Sequence, residues 1–121
     1  MQHYLLLARR GEPKPELTEE RQLAGLASFA EQLQAEERLV WASRLVNEPL
    51  KVRKSADRLV IDSLTVESRQ LVIAAFVICA NHLSEVTQLT GRGSSLALGV
   101  EFEVREATTF PEPGGPLDDA G

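Results

Sequence analysis

The hydrophobic pattern of the N-terminal third predicts one strand followed by one helix. Residues 2–8 form a short apolar run that Gly11 and Pro13 separate from any following helix, so we expect a β-strand there. Thr18 is a good helix N-cap, and acidic residues follow it in the first turn, where they meet the positive end of the helix dipole. A stripe of apolar residues at helical spacing then predicts an amphipathic helix over 19–37: Leu23, Leu26, Ala27, Phe29, Ala30 and Leu33.

The middle of the chain is predicted to hold a link and a hairpin. Residues 39–42 are apolar but few, and we interpret them as an irregular or briefly extended link. Residues 50–54 and 58–62 alternate with a period of two, and the three residues between them suit a tight turn. Basic residues at alternate positions of the first strand indicate a solvated edge. Residues 63–70 read as a polar loop.

The C-terminal third predicts a strand, a short helix and a strand. Residues 71–80 are apolar at every position, which is typical of a buried strand. Asn81 is the expected cap of a second helix, which Gly91 and Gly93 should end. Its inward-facing residues would be Leu83, Val86 and Leu89. Residues 96–105 then alternate strictly between apolar and other side chains, as a half-buried strand does.

These elements predict an α+β fold in one domain. The order strand, helix, strand, strand, helix, strand is that of the ferredoxin-like βαββαβ arrangement, an antiparallel four-stranded sheet with two helices on one face. The domain is expected to span residues 1–107. Residues 108–121 are rich in Pro, Gly and acidic residues and are predicted to form a tail.

The strand at 71–80 predicts a homodimer. Two helices cover only one face of such a sheet, yet both faces of this strand are apolar. One set of side chains is Val72, Ala74, Phe76, Ile78 and Ala80, and the other is Leu71, Ile73, Ala75, Val77 and Cys79. A second copy packed sheet to sheet would cover the free face, since twofold dimers are the commonest oligomers. The alternative cover is the chain's own segment 38–49 or its tail.

The composition limits which classes of partner and which cellular compartment are expected for the protein. The net charge of −5 argues against a nucleic-acid partner, because phosphate backbones require a basic surface. A single cysteine, Cys79, excludes an intrachain disulfide and fits a reducing compartment. The longest uncharged apolar run is half of the ~20 residues that a membrane-spanning helix needs. We therefore expect a cytoplasmic protein with no membrane partner.

From residue 62 onward the chain resembles the YCII-related family, in the branch named for an Asp-Gly-Pro-Phe motif. Asp62 and Glu67 match the motif region, and Ser68 and Arg69 match it in kind. The run Asn81-His-Leu-Ser-Glu-Val continues the match into the second helix. The first strand at Tyr4-Leu-Leu-Leu and the helix entry at Leu17-Thr-Glu-Glu also resemble the family, so the resemblance spans about residues 2–106. The resemblance implies a dimeric α+β barrel with an interior cleft, in a family whose activity is mostly unassigned.

The chain departs from that family at three places. Ser63-Leu64-Thr65 replaces Gly-Pro-Phe, and Ile73-Ala74 replaces a pair of glycines. Related proteins also carry a histidine early in the first long helix, thought to pair with an aspartate in a catalytic site. The helix predicted here over 19–37 contains no histidine.

The polar residues around the 62–70 loop are the candidate ligand-binding set: Asp62, Glu67, Arg69 and Gln70. Rigid scaffolds place binding groups on loops that end buried strands. An arginine beside two carboxylates suits a small anionic or hydroxylated ligand. The competing interpretation is a solvated connection with surface ion pairs, each stabilising by ~0–1 kcal/mol.

Other chemistry has little support in the sequence. His3 and His82, with Cys79, show no metal-ligand spacing, so no metal and no cofactor are predicted. We interpret Cys79 as a small buried hydrophobe and His82 as a surface residue. Trp41 is expected to pack under the link, and the alternative is that it lines a cleft. Gly91-Arg92-Gly93 falls at a predicted helix end, whereas phosphate is held at a helix start.

Two functions follow from different classes. The first is a non-enzymatic homodimeric module that binds a small ligand or a protein, with regulation as one role open to it. The alternative is a small dimeric-barrel enzyme of isomerase or lyase type, with Asp62 or Glu67 as general base. The missing helix histidine favours the first, and no catalytic residue is assigned.

Overall fold

The structure is a computed structural model that describes residues 1–12, 14–46, 48–64 and 66–109. Within these residues, two helices and six strands follow one another, with a 3-10 turn at Ser68–Gln70. Their bounds are β1 Gln2–Arg9, α1 Glu19–Ala35, β2 Leu39–Arg44, β3 Leu50–Ser55, β4 Arg58–Ser63, β5 Val72–Ala80, α2 Leu83–Leu96 and β6 Glu101–Ala107.

The main sheet has four antiparallel strands in the order β2-β5-β1-β6. Helix α1 connects β1 to β2, and α2 connects β5 to β6. This is the ferredoxin-like topology, which confirms the predicted fold class. Both helices contribute to a single core on one face of the sheet, formed around Tyr4, Leu6, Phe29, Leu33, Phe76, Ile78 and Val86. We call the opposite side of the sheet the open face.

Helix α1 begins where its sequence predicts and ends two residues earlier than predicted, at Ala35. The Thr18 hydroxyl accepts a hydrogen bond from the backbone N–H of Arg21 at 3.2 Å and caps the helix. The apolar stripe then buries Leu26, Phe29 and Leu33 against the sheet. The ring of Phe29 meets those of Phe76 and Phe102 at centroid distances of 5.4 and 5.8 Å, so aromatic contacts join the helix to the sheet.

The side chains of β5 lie on the two faces of the sheet as predicted, except that Val72 and Ile73 exchange faces. Phe76 and Ile78 lie opposite the buried residues of β1 and face the helices. A register shift between Ala8 and Arg9 breaks the alternation at the start of β5. Val72 therefore pairs with Arg9 on the open face, whereas Ile73 is 1% exposed and belongs to the core. The prediction had these two residues the other way round, because a bulge cannot be read from a period of two.

The segment predicted as a link is strand β2, an edge of the main sheet. Leu39 pairs with Ile78 and Trp41 with Val77, and a register shift separates the two pairs. That register shift interrupts the alternation of side chains between the two faces of β2. The sequence therefore showed too short an alternating run for a strand to be predicted. The prediction that Trp41 packs under a link was also wrong, since Trp41 lies on the open face and is 49% exposed.

Helix α2 begins one residue later and ends later than predicted. His82, not Asn81, is the N-cap, and its Nδ1 accepts the backbone N–H of Glu85 at 3.3 Å. The helix passes through both glycines instead of ending at them. A Cβ on Gly93 would lie 2.9 Å from the ring of Phe29, so this glycine serves close packing of the helix on the aromatic cluster.

The last strand is shorter at its start than predicted. Leu96 ends α2, and Leu98 lies in the following turn with 62% exposure. Gly99 has a φ of +85°, which reverses the chain before β6 begins at Glu101. The alternating pattern over 96–105 therefore ran across a helix end and a turn.

Strands β3 and β4 form the predicted hairpin, but outside the main sheet. They pair with each other from Leu50 opposite Ser63 to Ser55 opposite Arg58. We call residues 50–63 the arm. Along the chain, the second strand of the ferredoxin-like βαββαβ order is therefore β2. The arm is an insertion between β2 and β5. The tail predicted for 108–121 lies outside the described residues from 110 onward.

Candidate functional site

The polar loop before β5 is held against the end of β1 by its backbone. The N–H groups of Arg10 and Gly11 donate to the carbonyls of Leu71 and Arg69, each at 3.0 Å. These bonds fix the 3-10 turn at Ser68–Gln70 beside the last residues of β1. The loop is therefore a positioned part of the scaffold, as a binding loop requires.

Arg69 is engaged by two carboxylates. Its Nε donates to Glu67 at 2.9 Å, and its Nη1 donates to Glu12 at 3.1 Å. Hydrogen bonds from the guanidinium to Glu12 and then Glu67 raise the pKa of Arg69 above its ordinary value. All three side chains are at least half exposed, so each pair stabilises by about 0–1 kcal/mol.

Asp62 lies apart from this cluster. It belongs to β4, where its cross-strand partner is Lys51 of β3. The structure thus brings Glu67 and Arg69 together and places Asp62 on the arm. Gln70, the last of the four predicted residues, borders the cavity described next.

A cavity of about 550 Å³ lies beside this loop. Among the described residues its wall is mostly apolar, and Arg9, Glu48 and Gln70 are its polar side chains. The apolar lining comes from the segments that lead into and out of the arm and from the start of β5: Leu45, Val46, Pro49, Leu64, Val66, Leu71 and Val72. An apolar wall with few polar groups is typical of a small-molecule site.

Arg9 supplies the cationic group of the cavity. It follows Leu5 and Leu7 on the open face, and the register shift after Ala8 places Val72 opposite it. Its Nη1 donates to a carboxylate oxygen of Glu103 at 3.0 Å, and about a quarter of the Arg9 side chain is exposed. Arg9 was not among the residues predicted from sequence, although the alternation of β1 indicates that it shares a face with Leu5 and Leu7.

A second cavity of about 270 Å³ lies between α1 and the edge strand β2. Its lining is almost entirely apolar, from Leu23 and Ala27 to Ala42 and Phe76, with Arg44 at one side. It offers one charged group and no carboxylate. The larger cavity is therefore the candidate site.

The histidines and the cysteine occupy separate places. His82 caps α2 and accepts hydrogen bonds there. His3 is the cross-strand partner of Cys79, so both side chains lie on the open face. Across residues 1–12, 14–46, 48–64 and 66–109, no group of three or more His, Cys, Asp and Glu residues is arranged to hold a metal ion. Neither described helix is long and apolar enough to cross a membrane.

Comparison with known proteins gives a structural likeness without a family. No family model matches the chain, and no curated protein matches it. Among solved structures, the chain is similar to a divalent cation tolerance protein (Cut A1) from Thermus thermophilus, with a TM-score of 0.45 and 13% sequence identity. The match covers 98% of this chain and 93% of that one.

Proposed function

We propose that the protein is a non-enzymatic, homodimeric module that binds a small ligand with an apolar body and an anionic or hydroxylated head. The cavity of about 550 Å³ carries this proposal. Its volume falls within the range of roughly 300–1,000 Å³ that is usual for small-molecule sites. A cytoplasmic location stays part of the proposal.

The lining suggests how the two ends of the ligand would be recognised. The apolar wall would take a chain or ring, which is stabilised by removing apolar surface from water. The guanidinium of Arg9 and the amide of Gln70 would take the head, since both donate hydrogen bonds to oxygen. A carboxylate head would compete with Glu103 for Arg9, to which it is bonded at 3.0 Å.

The positions of Asp62 and Glu67 favour binding over catalysis. A general base must come within hydrogen-bond reach of the proton that it removes. Neither carboxylate borders the cavity, and both are exposed. Glu48 is the carboxylate in its lining, and it is exposed as well. The enzyme alternative therefore lacks a buried base at this site among the described residues.

The open face supports the homodimer. Its central positions are apolar and partly exposed in the single chain: Leu5, Leu7, Trp41, Val77 and Cys79. A second copy packed on this face would remove these side chains from water. Such a dimer agrees with the α+β barrel implied by the resemblance to the YCII-related family, and membership of that family stays a prediction.

Calorimetric titration with octanoate and with octanol tests the binding. Both probes have the apolar chain, and only octanoate has the anionic head. We expect wild type to bind both, and Arg9→Gln to weaken octanoate by about tenfold while leaving octanol unchanged. Val66→Trp should fill the cavity and abolish binding of both probes. Val40→Trp, on the half-exposed edge of β2, is the matched control.

Absence of octanol and octanoate binding to wild type would contradict the proposed site. So would a Val66→Trp variant that binds both probes as wild type does. If Arg9→Gln weakens both probes equally, the head is not recognised by Arg9 and that assignment is wrong.

A further inference from the structure

The arm is a hairpin without a covering layer in the described chain. Its strands pair only with each other, and a two-residue turn at Ala56 and Asp57 joins them. An isolated two-stranded hairpin is marginally stable in water. Every described residue of the arm except Val60 is exposed.

One face of the arm is apolar. The register places Leu50 and Val52 on the same face as Leu59 and Ile61, since Val52 is the direct partner of Ile61. These four side chains are 58–68% exposed in the single chain. Soluble proteins rarely leave such a contiguous apolar patch uncovered, so it marks an interaction surface.

The other face of the arm is basic. Lys51 and Arg53 alternate with the apolar residues of β3, and Arg58 joins them from β4. Asp62 and Val60 share this face, opposite Lys51 and Arg53, whereas Lys54 lies on the apolar face opposite Leu59. With four basic and two acidic residues, the arm has a net charge of +2 in a chain whose net charge is −5. A basic surface in an acidic protein suits an acidic partner surface.

Strand β6 offers the complementary pattern. It pairs with β1 on one side, and no described strand pairs with its other edge. The pleat directs Glu101, Glu103 and Arg105 to the open face and Phe102, Val104 and Glu106 to the helix face, and the strand carries a net charge of −2. An arm strand aligned with this edge would set its basic residues beside Glu101 and Glu103 and its apolar residues beside Phe102 and Val104.

From these patterns we infer that the arm packs along β6 of a second copy of the chain and adds its strands to that edge. This inference rests on the proposed self-association and names the segment that extends the interface. Main-chain pairing at a sheet edge is a common mode of recognition. The edge at β2 fits less well, because Arg44 is its single charged residue and is basic like the arm.

Two charge-reversed chains test the inference. Lys51→Glu/Arg53→Glu reverses the basic face of the arm, and Glu101→Lys/Glu103→Lys reverses the two carboxylates that β6 directs to the open face. We expect each double variant to self-associate about tenfold or more weakly than wild type, because like charges then meet across the contact. An equimolar mixture should restore association, since the reversed arm then meets the reversed β6. Sedimentation velocity measures all four samples, and circular dichroism checks that each chain is folded.

The outcomes separate the two proposals. If wild type is an oligomer and the double variants associate as wild type does, the arm inference is overturned while the open-face dimer stands. Failure of the mixture to associate also overturns it. A monomeric wild type overturns both, and octanoate titration of wild type still tests the cavity on its own.

Discussion

The two faces of strand β5 carry equally apolar side chains but meet different surroundings. On the helix side, Phe76 and Ile78 are at most 2% exposed, covered by α1 and α2 of the same chain. On the open side, Val77 and Cys79 remain partly exposed beside a Trp41 that is 49% exposed. Hydrophobicity along a strand therefore shows that both faces need cover, whereas the identity of the cover depends on the elements around it.

The largest expected effect is on the helix side. Phe29→Ala should lower the free energy of unfolding by about 3–5 kcal/mol, because it leaves a cavity beside the rings of Phe76 and Phe102. Urea denaturation at neutral pH measures it, with Val52→Ala on the exposed arm as control. A loss below about 1 kcal/mol would mean that the core is not packed as described.

A charge on the open side should act on assembly and not on folding. We expect Val77→Asp to weaken self-association by about 2 kcal/mol or more, because the carboxylate would be buried without a partner between two copies. Sedimentation measures association, and near-native circular dichroism would show a folded monomer. The account would be contradicted if the variant were largely unfolded while its folded fraction kept the mass of the wild-type oligomer. Val77 would then belong to the core and not to the interface.

A smaller effect is expected where α2 crosses the aromatic cluster. Gly93→Ala should destabilise by about 1–3 kcal/mol, since the new methyl group would lie 2.9 Å from the ring of Phe29 and 3.1 Å from that of Phe102. Gly91→Ala is the matched control two residues away, because nothing lies within 4 Å of its Cβ position and alanine favours a helix. Equal stability of the two variants would contradict this packing.

The smallest effect is that of the ion pair between the helices on the covered side. Hydrogen bonds from Arg92 at 2.6 and 3.1 Å hold the pKa of Glu36 below its ordinary value, against the opposing effect of burial. A lowered carboxyl pKa stabilises the fold above the ordinary value of 4.5, and this stabilisation disappears as pH falls through the folded-state pKa. We expect about 0–1 kcal/mol, because both side chains are more than a third exposed.

Arg92→Met tests that pair. The difference in unfolding free energy between wild type and variant should be fully present at pH 7 and should shrink as pH falls below 4.5. A difference of equal size above and below pH 4.5 would assign the role of Arg92 to packing of its aliphatic chain.

The fold could be predicted where patterns were long and regular. The apolar stripe of α1 and the Thr18 cap identified that helix, and the unbroken run of β5 identified a strand with two apolar faces. Strand β2 was missed because its alternation is interrupted at Val40, and the end of α2 because Gly93 serves packing instead of termination. Register shifts and close helix contacts are tertiary effects that leave no periodic signal.

The site was harder to predict than the fold. Glu67 and Arg69 were correctly placed near each other, since they are two residues apart and on one loop. Arg9 and Gln70 meet at the cavity only because β1 and β5 pair, which brings positions about 60 residues apart in sequence to one edge. Asp62 was grouped with the loop by sequence proximity, yet the arm carries it away.

The mass of the wild-type protein in solution tests the central claim, that the open face is an interface between copies. Sedimentation equilibrium at micromolar concentration is the measurement, because an apolar interface of standard size persists at that dilution. We predict a species of twice the 13.3 kDa chain mass. A single species of 13.3 kDa at every concentration would contradict the claim.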